Sequence, residues 1–61
     1  MIVKNHDSYL VDIFEINGVV LSVNWSTEIL DAKIFTNKDG IYNYLKNVNK
    51  SLLEDIEIIN I

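Results

Sequence analysis

The chain has 61 residues, with nine Asp or Glu against five Lys, one His, no Arg, no Cys and no Pro, for a formal net charge of −4. A domain of this size buries only about 60% of the surface its unfolded chain exposes. Without thiols it has neither disulfides nor thiolate metal sites to add stability, so oligomerisation is the remaining device. The expectation is one domain, residues 1–61, in a reducing cytosol. No apolar run approaches the ~18 residues of a membrane span, and no signal-peptide pattern opens the chain. Nucleic-acid binding is disfavoured, because it rests on clustered cations and on the bidentate Arg fork.

Lys4-Asn5-His6-Asp7 reads as a polar segment next to the first strand, in which His6 is solvated on a flexible end. The stretch Ser8 to Ile16 is dense in β-formers, and Asn17-Gly18 separates it from a second such run, Val19 to Trp25. Asn-Gly between apolar runs predicts a two-residue hairpin turn, because a type I′ turn needs positive φ at both central residues. A regular register from that turn sets Ile16 opposite Val19, Phe14 opposite Leu21, Asp12 opposite Val23 and Leu10 opposite Trp25. Opposed residues share a face. The core face would then be Leu10, Asp12, Phe14, Ile16, Val19, Leu21, Val23 and Trp25, with Asp12 as an anomaly at the rim. The other face would carry Tyr9, Val11, Ile13 and Val20 as an apolar patch beside Glu15, Ser22 and Asn24.

Residues Ser26 to Phe35 fit either a short helical turn followed by an extended stretch or a third strand throughout, with Thr27 as a cap for the turn. Thr36 is the expected N-cap of a helix from about Asn37 to Val48, with Asp39 completing a capping box. Ile41, Tyr44, Leu45 and Val48 form its apolar stripe at i, i+3, i+4, i+7 spacing. Lys38, Tyr42 and Lys46 form a second, outward stripe. The β-branched run Ile56 to Ile61 reads as a closing strand, with Glu54, Asp55 and Glu57 as an acidic edge beside it. The expected fold class is α+β: a β-hairpin, a short irregular element, one helix and a C-terminal strand (ββαβ). The antiparallel sheet would run 2-1-3, with the helix on one face.

The residue inventory points to no catalytic, cofactor or metal site. His6 and Asp7 are adjacent on an extended chain and point apart. Two glycines cannot build a phosphate loop, and Glu54, Asp55 and Glu57 lack calcium-loop spacing. The class expected is a non-enzymatic protein-binding module. Its open face of Tyr9, Val11, Ile13 and Val20 would be covered either by residues 26–35 or by a second subunit in a homodimer, with Tyr42 as a secondary contact.

The order hairpin, Ala32-x-x-Phe35 step, capped helix and short strand resembles small proteins of phage and prophage genomes. Its size and acidity are similar to those of phage-encoded inhibitors of host enzymes: anti-CRISPR, anti-restriction and uracil-DNA glycosylase inhibitor proteins. That resemblance implies a host protein as partner and carries over no functional residue. The acidic balance and the missing catalytic groups point to steric blocking or charge mimicry, with Glu54, Asp55 and Glu57 as the acidic edge. The alternatives are a structural or regulatory protein of a phage or mobile element and, third, a nucleic-acid-binding regulator.

Overall fold

The computed structural model describes residues 1–61. In chain order it contains β1 (Ile2–Asn5), β2 (Ser8–Ile16), β3 (Val19–Ser26), α1 (Lys38–Leu45) and β4 (Ile56–Ile59). Single 3-10 turns lie at Ile29–Asp31 and Lys50–Leu52. The four strands form one antiparallel sheet in the order β3-β2-β1-β4. Asn17 and Gly18 both have positive φ, 52° and 80°, so the expected hairpin turn is present between β2 and β3.

The α+β class and the single helix hold, while the three-strand order 2-1-3 does not. An additional strand before Ser8, β1, overlapping the polar segment only at Lys4 and Asn5, takes the place beside β2, and the C-terminal strand pairs with it instead. Ile2 and Val3 explain this, since both are fully buried. They stand opposite Ile59 and Ile58, so the Ile-rich tail docks on them residue by residue. His6 and Asp7 form the tight turn from β1 to β2, with His6 at φ 52°, rather than a loose end.

The long hairpin carries the largest correction. Ile16 does face Val19 and Leu10 does face Trp25, but Phe14 faces Ser22, Ile13 faces Val23 and Asp12 faces Asn24. One extra residue in β3, Leu21, and one in β2, Val11, shift the register by one and then restore it. Each is a β-bulge, and a one-residue shift exchanges the two faces of a strand. Ile13, Val20 and Val23 therefore pack against the core, and Phe14, Ile16, Val19 and Leu21 are exposed.

The core is a cluster of Val3, Leu10, Phe35, Ile41, Leu45 and Val48. The β1–β2 ladder ends after Lys4↔Tyr9 and Asn5↔Ser8, so the rest of β2 needs other partners along that side. The loop after β3 supplies them. The Lys33 N–H donates to the Leu10 carbonyl of β2 (2.8 Å), and the same loop is fixed to the residue before β1 by the Phe35 N–H donating to the Met1 carbonyl (2.8 Å). Farther along, the Ile13 N–H donates to the Tyr44 hydroxyl (3.3 Å). Of the two readings of residues 26–35, the helical turn followed by an extended stretch is the one adopted. The N-cap position is Glu28 rather than Thr27 and carries no side-chain cap bond. The Ser26 Oγ braces the turn, accepting from the Glu28 N–H (3.1 Å) and donating to Asp31 Oδ2 (2.7 Å).

Helix α1 is shorter than its apolar stripe. It starts one residue later than expected, capped by Asn37, whose side chain accepts from the Gly40 N–H at 2.9 Å. It ends at Leu45, and Val48 reaches the core from the loop beyond, its N–H bonded to the Leu45 carbonyl.

Two outcomes follow for chemical denaturation. Asn37→Ala should cost about 1 kcal/mol through the lost cap while Thr36→Ala stays near neutral. Leu10→Ala should cost about 2–5 kcal/mol, comparable with the whole stability of roughly 3–9 kcal/mol expected for a chain of this length.

Candidate binding surfaces

Hairpin β2–β3 outruns its neighbours: its strands have nine and eight residues, against four each in β1 and β4. Past Tyr9 no strand flanks β2 on the β1 side. Ile16 and Val19 are directly opposed, and Phe14 lies two residues back along β2, so the three share one face of the tip. They are 52%, 51% and 60% exposed for Phe14, Ile16 and Val19, and the bulge residue Leu21 is 54% exposed. Half-exposure of four large apolar residues amounts to on the order of 400 Å², the size of the largest patch on a typical monomer. Asp12 lies farther along the same face and is exposed, where its carboxylate accepts a hydrogen bond from the Asn24 side-chain amide.

The residues expected to form the patch are divided. Ile13 and Val20 belong to the partly buried shell around the core. Tyr9 and Val11 are half-buried, with the Lys4 Nζ 5.9 Å from the Tyr9 ring centroid. The supposed open face is thus not one surface. Within the hairpin, the apolar exposure sits on residues that a regular register places inside. One sign in the sequence marked this: Asp12, an acid amid the presumed core residues, carries Phe14 and Ile16 out with it.

Tyr42 is exposed on α1 and, with Lys46, borders a depression of about 270 Å³ between the helix and β4. The acidic residues Glu54, Asp55 and Glu57 do come together, at and just before the start of the edge strand β4, and all three are exposed. Glu57 stands opposite Lys4 in the ladder. Asp55 adopts φ 57°, and its Oδ2 lies 3.5 Å from His6 Nε2, both side chains being well exposed. The Glu54 carbonyl accepts from the Asn5 side-chain amide (2.8 Å). These contacts tie the β1–β2 turn to the turn before β4.

A second depression of about 350 Å³ is lined by Asn5, His6, Asp7, Ser8 and Trp25. It is shallow and polar, and its imidazole engages Asp55 rather than a hydroxyl, so it holds no nucleophile and base in register. No three His, Asp or Glu side chains come together as a metal site. No helix is long and apolar enough to cross a membrane. On the loop, Ile29, Leu30 and Ile34 are exposed, Leu30 almost fully. Comparison with protein-family models, curated proteins and solved structures gives no match for this chain.

The face assignment is checked by paired substitutions. Phe14→Ser and Val19→Ser should each change unfolding free energy by about 0.5 kcal/mol or less, as surface changes do, while Ile13→Asp should cost about 1–3 kcal/mol by placing a charge against the core. Urea titrations of the three variants read this directly.

Proposed function

We propose that the chain is a protein-binding module, acting without catalysis, whose contact surface is the exposed apolar face of the hairpin tip. The carrying observation is that Phe14, Ile16 and Val19 stand together on one face of a projecting hairpin, each about half exposed. Large apolar residues grouped on the surface of a small chain mark interaction sites, and an aromatic at the centre of such a group is the usual energetic anchor. The surface around it is acidic: Asp12 and Glu15 lie on the same strand, and the chain carries −4 overall. The partner that fits is a protein with an apolar cleft and a basic rim, which such charges would steer and orient.

Within that class the reading is a phage-type inhibitor of a host protein. Occupation of the cleft by the tip would block it sterically, and the Glu54, Asp55 and Glu57 edge would imitate an anionic ligand. Support comes from the small acidic chain and from the separation of the two features: the carboxylates of the β4 edge are free of the apolar tip.

Capture from a nuclease-treated lysate of the producing cell tests this. The wild-type chain should retain a protein that Phe14→Ser/Val19→Ser retains at least about tenfold less, a loss in the range of a hot-spot truncation. Equal retention by both chains, or none by the wild type, would remove the proposal.

A further inference from the structure

The outer edge of β3 faces no strand, since β3 ends the sheet. Proteins protect such edges with Lys, Pro or inward-pointing charges. β3 reads Val-Val-Leu-Ser-Val-Asn-Trp-Ser and has none of these. Its one irregularity, the bulge at Leu21, lies toward the tip, which leaves Ser22–Ser26 as a regular run in which every second residue turns its backbone N–H and C=O to the open side.

From this edge we propose that β3 pairs with β3 of a second copy, antiparallel across a two-fold axis at Asn24, to make a continuous eight-stranded sheet.

Charge selects this occupant. The opposite edge, β4, carries Glu57 with Glu54 and Asp55 just before it, so two copies meeting there would set three carboxylates against three. β3 itself carries no charged residue to repel its own copy. The carboxylates of Asp12 and Asp31 beside it are each engaged by a hydrogen bond, from the Asn24 amide and the Ser26 hydroxyl. The sequence of the regular run is also self-complementary. With Asn24 facing Asn24 of the other copy, Ser22 meets Ser26 and Val23 meets Trp25. The polar pairs fall on the solvent face. The Val–Trp pairs fall on the face that α1 covers, since both residues already pack against the core. An aromatic opposite a β-branched residue is a favoured cross-strand pair. Asn24 gives one amide hydrogen to Asp12, leaving its carbonyl oxygen and its other hydrogen to exchange with the twin amide across the axis. Phe14 and Ile16, one strand inward, stay uncovered, so this contact and the tip are separate surfaces.

Sedimentation equilibrium from about 10 µM to about 1 mM, the span suited to a weak edge contact, should show the mass rising toward twice the 7.0 kDa of the chain. Asn24→Lys sets two ammonium groups face to face and should hold the mass at the single-chain value, as should Asn24→Glu with two carboxylates. An equimolar mixture of the two variants should associate again, as a one-to-one pair seen by native mass spectrometry. That rescue also shows that each variant is folded. Phe14→Ser, which tests the tip, should leave the dimer intact. A wild type that stays monomeric at about 1 mM, variants that dimerise as the wild type does, or a mixture that fails to associate would each overturn the proposal.

Discussion

The one-residue offset in the β2–β3 ladder, opened at Leu21 and closed at Val11, governs which side of the hairpin is wet, and the other surfaces follow from it. A regular ladder would turn Asp12 toward α1. A carboxylate there, with no cation at hand, would cost several kcal/mol. The offset turns Asp12 to solvent, where it meets the Asn24 amide, and brings Ile13 and Val20 inward while Val23 keeps its place on the core side. Reach settles the rest. Nine residues of strand span about 30 Å, whereas the eight residues of α1 span about 12 Å. A helix that short cannot cover the whole hairpin, so the tip would stay uncovered on either face.

The opposite end of the sheet solves a different problem. β1 is only four residues long, yet Ile2 and Val3 are among the most deeply buried side chains in the molecule. Being adjacent on a strand, they point to opposite faces, so β1 needs cover on both. Val3 joins the core cluster, and Ile2 is buried outside it, as is Ala32 of the loop after β3. That loop is pinned by the backbone bonds to Leu10 and Met1, and Phe35 closes the core edge-on to Tyr44, with ring centroids 5.6 Å apart. Lys33 lies over both rings, its Nζ 4.8 Å from the Tyr44 centroid. A segment with little regular structure therefore does the work of a strand.

What the sequence made legible, and what it hid, follows from how each feature writes itself into residue types. Asn17-Gly18 is chemically restrictive, since few other pairs accept two positive φ angles, and it was readable. The stripe Ile41, Tyr44, Leu45 and Val48 was readable as a buried set, although only the first three lie in the helix proper. The bulges were not readable from alternation, because the apolar residues of Leu10 to Ile16 fall on both faces, with one acid, Asp12 or Glu15, on each, so that either register is tolerated. The strand Ile2–Asn5 was hidden by its polar half, Lys4 and Asn5, and by a His6-Asp7 turn that lacks Gly. Thr36 and Asn37 are both good caps, and their order alone did not decide between them. The candidate surface inherited the register error directly, as Ile13 and Val20 exchanged places with Phe14, Ile16 and Val19.

The size of the tip bears on how such a chain could bind usefully. At about 25 cal/mol per Å², a patch on the order of 400 Å² yields roughly 10 kcal/mol of gross apolar transfer. Loss of translational and rotational freedom consumes about 4–15 kcal/mol of that on association. A single tip therefore sits near the threshold of measurable affinity, and a rim of charges adds mainly rate and orientation. Antiparallel pairing through β3 changes the arithmetic, because the two Asn17-Gly18 turns then project from opposite ends of one sheet. For a partner that presents its cleft twice, the second contact becomes intramolecular, and avidity can exceed either single affinity by about 10²–10⁴-fold without any new residue. On this reasoning the uncharged edge and the exposed tip are complementary parts of one design, with the edge supplying the valency that a 61-residue chain is too small to supply as contact area.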